Sequence, residues 1–132
     1  MSSRARRKEK LEKVLRRLCV ESSSGTVIIV EGRKDEASLR RLGVTGRIVC
    51  FKSSGKGLVD FLSHIHAKKA IVLSDFDNEG KAISARIEEE LAHINVATDN
   101  VLRRKLGALV RQEVRTIEGL FRFVEKMRAE ET

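Results

Sequence analysis

Three short runs, Thr26–Val30 (TVIIV), Arg47–Phe51 (RIVCF) and Ala70–Leu73 (AIVL), constrain most strongly what this chain can fold into. Each is too short for a helix, and none alternates apolar with polar residues. Each therefore reads as a strand buried on both faces. Helical spacing fills the intervals: Arg33–Leu42, closed by Gly43, and then Leu58, Phe61, Leu62 and Ile65. A further helix is predicted over Asn78–Leu91, with Ile83, Ile87 and Leu91 on one face, and a fourth strand over Ile94–Ala97. Strands alternating with helices predict βαβ units. The expected class is α/β: a compact, parallel, four-stranded sheet with helices on both faces.

Helices flank this core. Leu11, Val14, Leu15 and Leu18 form the apolar stripe of an amphipathic helix from about Arg6 to Val20, and its other face is rich in Lys and Arg. Glu21–Gly25 is polar and reads as a flexible break. A helical pattern covers Val101–Met127, interrupted near Val114–Thr116 or at Gly119, and Thr98 or Asp99 is placed to cap it. With 132 residues the chain has the length of one domain with a real core. The expected organisation is a basic helix and linker over 1–25, a core over 26–97, and a helical extension of the same domain over 98–132.

The net charge of +8 is uneven. Residues 1–20 carry +6, residues 21–98 are neutral and residues 99–132 carry +2. A basic arm containing Arg4, Arg6, Arg7, Lys8 and Lys10 suits a polyanion, because neutralising phosphates releases counterions. The alternative is a solvated helix face that only aids solubility. No apolar run approaches the roughly 18 to 20 residues that span a bilayer, so no membrane partner is expected. Cys19 and Cys50 are far apart and form no CxxC, which argues against zinc and fits a reducing cytoplasm.

The third strand runs into Ser74-Asp75-Phe76-Asp77-Asn78-Glu79-Gly80, and the first into Glu31-Gly32. Carboxylates gathered at strand ends raise one another's pKa unless a cation neutralises them. Oxygen ligands without His or Cys suit Mg²⁺, or Mn²⁺, rather than zinc. Asp75 and Asp77 are spaced to face one ion, and Glu79 in the first helical turn can join them. Each has a plainer reading: Asp77 as a helix cap, Glu79 as complement to the helix dipole, Glu31 as partner of Arg33 or Lys34. Gly32 and Gly80 would keep Cβ atoms away from metal and phosphate. Lys56, in the Lys52–Gly57 loop, and Arg33 are phosphate-binding candidates, although the loop has no Walker spacing and also reads as an ordinary turn. His64, His66 and His93 read as surface or capping residues.

The combination VEGRKDEASL, one intervening βα unit and LSDFDNEGKAI resembles the Toprim domain over roughly Thr26–Ala97. That domain is shared by topoisomerases, bacterial-type primases, recombination-repair proteins and small nucleases. The resemblance implies a flavodoxin-like sheet, Glu31 as general acid/base or metal ligand, and Asp75 and Asp77 as the Mg²⁺-coordinating pair. Glu79 matches the third acid of the topoisomerase pattern, but Lys81 stands where topoisomerases commonly place another acid. The chain has no tyrosine, so it cannot form a topoisomerase's phosphotyrosyl intermediate. What remains is similar to stand-alone small Toprim proteins, among them a ribonuclease that matures 5S ribosomal RNA.

The expected function is therefore that of a Mg²⁺-dependent phosphodiester enzyme, a small nuclease acting on structured RNA in preference to DNA. One ion would sit on Glu31, Asp75 and Asp77, and a second about 3.5–4 Å away could stabilise the leaving oxygen. The alternative is a non-catalytic module that holds metal and nucleic acid and recruits a ribonucleoprotein or DNA-processing partner.

Overall fold

The computed structural model describes residues 2–110 and 113–130. The elements are α1 (Ser3–Ser23), β1 (Val27–Val30), α2 (Arg33–Arg41), β2 (Ile48–Cys50), α3 (Leu58–Ser63), β3 (Lys69–Val72), α4 (Asn78–His93), β4 (Ala97–Thr98), α5 (Val101–Val110) and α6 (Leu120–Ala129). The four strands are all parallel, in the order β2-β1-β3-β4.

Burial on both faces explains the uniform apolar runs. In β1, Ile28 and Val30 pack with α1, α2, α5 and α6, while Val27 and Ile29 pack with α3 and α4. Strand periodicity sends alternate residues of β3 the same two ways, Ile71 and Leu73 against Ala70 and Val72. The chain thus leaves β1 for one face and β3 for the other. The crevice between the carboxyl ends of these adjacent strands is the switch point of the sheet, where such folds place their sites.

Two sequence expectations need correction. The segment expected as a flexible linker, 21–25, is mostly helix, because α1 continues to Ser23. Glu21 anchors it: its carboxylate accepts from Thr26 Oγ1 at 2.9 Å and from Lys69 Nζ at 3.2 Å, and Ser22 Oγ accepts from the Gly46 N–H at 3.0 Å. The apolar stripe expected of the basic helix does pack against the body. Leu11, Val14, Leu15 and Leu18 are at most 8% exposed and lie in the main core cluster. Finally, the fourth strand is Ala97–Thr98 rather than Ile94–Ala97. Ile94 ends α4 and is 42% exposed, and Asn95 takes a left-handed φ of 62° to turn the chain back.

The helical pattern over 101–127 is broken between α5 and α6, and its residues 111–112 lie outside the described residues. Ahead of α5, Asp99 Oδ1 accepts from the Val101 N–H at 2.7 Å, which satisfies the helix's first backbone donor. Among the described residues no helix is long and apolar enough to cross a membrane.

Candidate functional site

The site begins where the sheet's hydrogen-bonding ladder stops. The Leu73 N–H donates to the Ile29 carbonyl at 2.8 Å, and a continuing parallel ladder would pair the Asp75 N–H with the Glu31 carbonyl. That carbonyl is already taken by the Lys52 N–H on the β2 side, at 2.9 Å. The Glu31 side chain substitutes: its Oε2 accepts the Asp75 N–H at 3.0 Å. Its Oε1 lies 2.7 Å from Lys52 Nζ. Residues from three strand ends are thereby fastened together at the switch point.

The two carboxylates have opposite electrostatics. Burial pushes Glu31 upward, but Lys52 and the Asp75 N–H outweigh it, and the carboxyl sits below its ordinary range. Lys52 shifts the matching way, upward, chiefly through Glu31, with Glu79 and Asp75 adding. Asp75 is pushed up from 3.8 to about 6 by burial, with Glu31, Asp35 and Asp77 adding, against the opposing Ile117 N–H. That N–H donates to Asp75 Oδ1 at 3.2 Å, so the segment between α5 and α6 forms one wall of the site. The Phe76 N–H, donating to the Arg115 carbonyl at 2.7 Å, fixes the same wall.

Two side chains buttress the Asp75 loop. Arg103, on α5 and 9% exposed, donates from Nε to the Ser74 carbonyl at 3.2 Å and from a second guanidinium nitrogen to the Asp75 carbonyl. Burial lowers its pKa, while Asp77, Glu88, Asp75 and Glu31 oppose that shift. Ser74, fully buried, donates from Oγ to the Gly80 carbonyl at 2.6 Å. Gly80 is required here for contact within the protein, not for metal access. A Cβ on it would stand 2.0 Å from the Asp75 carbonyl oxygen, whereas nothing lies within 4 Å of one built on Gly32.

The structure separates the other expected ligands from this pair. Asp77 is the N-cap of α4, exposed, with Oδ1 accepting from the Gly80 N–H at 2.6 Å. Glu79 is exposed in the first turn of α4, where an acid complements the helix dipole. Among the described residues no group of three or more His, Cys, Asp or Glu side chains lies close enough together to hold a metal ion. The donor set is thus two carboxylates with a lysine on one of them. Two oxygens still suit Mg²⁺, which usually keeps several waters and takes one or two carboxylates together with substrate phosphates.

Arg33 and Lys56 are exposed, on the first turn of α2 and in the loop before α3. In the basic helix, Arg7 is spent on structure: it donates to the Leu109 carbonyl at 2.5 Å, pairs with Glu113 at 2.9 Å and stacks on Phe123. Arg4 lies 3.9 Å from Glu130, Lys8 is half-buried, and Arg6 and Lys10 are exposed. His64, His66 and His93 are exposed, as expected. An open groove of about 440 Å³ lies between α4 and α5 beside Asp77, lined in part by Phe76, Lys81, Arg103 and Arg104.

Sequence reasoning missed Lys52, Arg103, Asp35 and the Ile117 N–H. Asp35, 9% exposed, accepts the Gly32 N–H at 3.0 Å and is raised by burial, against the Gly32 and Glu118 amides. Its signal was available, because an acid at the third helical position is half of a capping box. Arg103 was visible as a cation in step with Leu106 and Val110 on the buried face of α5.

No family model matches the chain. It is similar to a UPF0292 protein of Methanosarcina acetivorans, with 31% identity over 127 residues covering 94% of this chain and 86% of that one. A UPF0292 protein of Methanocaldococcus jannaschii shares 34% identity over 119 residues, covering 89% and 92%. The solved structure of a protein from Aquifex aeolicus matches with a TM-score of 0.66 and 25% identity, over 81% of this chain and 94% of that chain.

Proposed function

The chain belongs to the UPF0292 family, and we propose that it is a Mg²⁺-dependent phosphodiester enzyme of Toprim type acting on nucleic acid, with structured RNA as the favoured substrate. The observation that carries this reading is the meeting of Glu31 and Asp75 at the switch point of a parallel sheet, with Asp75 pushed up to about 6. A carboxyl held that far above its ordinary range is one that a cation would relieve, and such groups cluster at functional sites.

Glu31 and Asp75 would hold the ion, with Mn²⁺ as a substitute for Mg²⁺. Bound there, it would polarise the scissile phosphodiester and activate a water. Glu31, ionised at neutral pH, would either ligate the ion or take up a proton through Oε1, the oxygen that the Asp75 N–H does not occupy. Asp75 is ionised above about pH 6 and then adds its charge to the site. Arg103 and Ser74 hold the loop so that the Asp75 side chain, not its carbonyl, faces the crevice. Arg104 and Lys81 line the groove between α4 and α5, where a phosphate backbone would find cations. Free thiols at Cys19 and Cys50 fit a reducing cytoplasm.

Asp77 committed to its cap favours a second reading, a module that binds metal and nucleic acid without cutting. The test is Mg²⁺-dependent cleavage of structured RNA and of DNA by the wild type and Asp75→Ala. Cleavage by the wild type alone supports the enzyme. Salt-dependent binding with no cleavage by either protein removes the enzyme reading and leaves the module.

A further inference from the structure

The two oxygens of Glu31 do different work, and one of them is engaged by a cation of the chain's own. Oε2 is bound to the Asp75 N–H, a backbone contact inside the sheet's end. Oε1 carries Lys52 Nζ at 2.7 Å. The Lys52 backbone is locked in register by its bond to the Glu31 carbonyl at 2.9 Å, so the side chain is always within reach. The ammonium is held chiefly by Glu31, with smaller attractions from Glu79 and Asp75. Its side chain is 57% exposed, against 14% for Glu31. The acid is therefore fixed, while the cation on it can swing into solvent at the small cost of an exposed ion pair.

We propose that Lys52 is a tethered competitor for the divalent cation, occupying Glu31 Oε1 and lowering the site's affinity for metal until it is displaced. This inference rests on the metal-dependent reading above and adds a regulatory part to that site. Displacement would exchange one cation for another on the same oxygen: the Lys52 ion pair breaks, the carboxylate ligates the metal instead, and no covalent bond or proton is transferred. Lys52 and Mg²⁺ being alternatives, metal occupancy and the free ammonium are linked reciprocally. Any phosphate that draws Lys52 off Glu31 therefore promotes metal binding.

The test uses Mn²⁺ alone as probe, with free ion followed by electron paramagnetic resonance, on the full chain. Lys52→Met keeps the length of the side chain and removes its charge, and should bind Mn²⁺ about fivefold more tightly than the wild type, as expected for loss of a partly exposed pair. Lys52→Arg keeps the charge and should stay within about twofold of the wild type. Lys34→Met removes an exposed cation from α2 as a measure of long-range charge alone, and should also change affinity by less than about twofold. Equal or weaker binding by Lys52→Met, or equal tightening by Lys34→Met, overturns the competition. Wild-type protein whose Mn²⁺ binding is absent, or indifferent to Asp75→Asn, overturns the metal-dependent reading itself and this inference with it.

Discussion

Asp75→Asn should make the protein more stable while removing the proposed function. The folded chain holds the Asp75 proton up to about pH 6, whereas an unfolded chain releases it near 3.8. Between those values the folded state binds more proton, so this group's contribution to stability falls as pH rises through the window and is fully unfavourable above it. A gap of about two pK units sets a ceiling near 3 kcal/mol, at about 1.36 kcal/mol per unit. Solvent on the open side of the crevice screens part of this, leaving about 1–2 kcal/mol. Asparagine keeps an oxygen for the Ile117 N–H and loses the charge that Glu31 and Asp35 oppose. In divalent-free buffer at about pH 8 the variant should melt several degrees above the wild type, at about 3–6 °C per kcal/mol for a domain of this size. The difference should shrink toward zero as pH falls to about 4. Added Mg²⁺ should raise the wild-type melting temperature and leave the variant's unchanged, since a ligand stabilises only the state that binds it. A variant less stable at about pH 8, or a difference independent of pH, would refute the electrostatic account of the site.

Gly80→Ala should destabilise by about 3 kcal/mol or more, measured by urea unfolding, because its Cβ meets the Asp75 carbonyl oxygen, a backbone atom that cannot rotate away. A cost under about 0.5 kcal/mol would show that the α4 entry is looser than described. Arg103→Met should cost about 2–4 kcal/mol by the same measurement, since it strips donors from the Ser74 and Asp75 carbonyls, and an unchanged midpoint would contradict the buttress. Deleting residues 1–20 cannot test the basic helix. Its four buried core side chains represent about 6–12 kcal/mol of gross burial, comparable to the whole stability of a small domain. Replacing Arg6, Lys10 and Lys13, all exposed, with Gln should instead reduce the slope of log affinity against log salt by about 2–3 for RNA or DNA. An unchanged slope would exclude α1 from the nucleic-acid surface.

What the sequence made legible was whatever repeats with a period or commits a whole strand. The run Val27–Val30 is apolar at every position because both sheet faces bury it, and that alone predicts a parallel sheet covered by helices. Glu31 and Asp75 were legible because they end such runs. Element ends were not, since single side-chain bonds decide them. Ser23 and Ser24 read as linker residues, yet their hydroxyls donate to the Val20 carbonyl and finish α1. Ile94 reads as strand by its apolarity, but Asn95 in the left-handed region has already reversed the chain. The Ile117 N–H is a backbone donor brought in by tertiary folding, and no residue type announces it. Lys52 carried no signal either, because a lysine after a strand is ordinary until its register with Glu31 is known.

The acid motif places its carboxylates in different local settings. A charged oxygen at a strand end needs a donor of its own, and here each carboxylate has a separate one. Glu31 takes Lys52 and the Asp75 N–H, Asp75 takes Ile117, Asp77 takes Gly80, and Asp35 takes Gly32. Asp77 and Asp35 use donors that helix starts provide in any case, so their bonds secure α4 and α2 and oppose any rearrangement toward a shared ion. Glu31 and Asp75 differ in kind. One is held by a cation able to leave, and the other stays raised to about 6 despite its N–H donor. A divalent cation gains most where a carboxylate is under-compensated and its neighbour's partner is exchangeable. Under the proposed metal-dependent reading, that condition favours this pair over Asp77 and Asp35 by an argument separate from the motif's spacing.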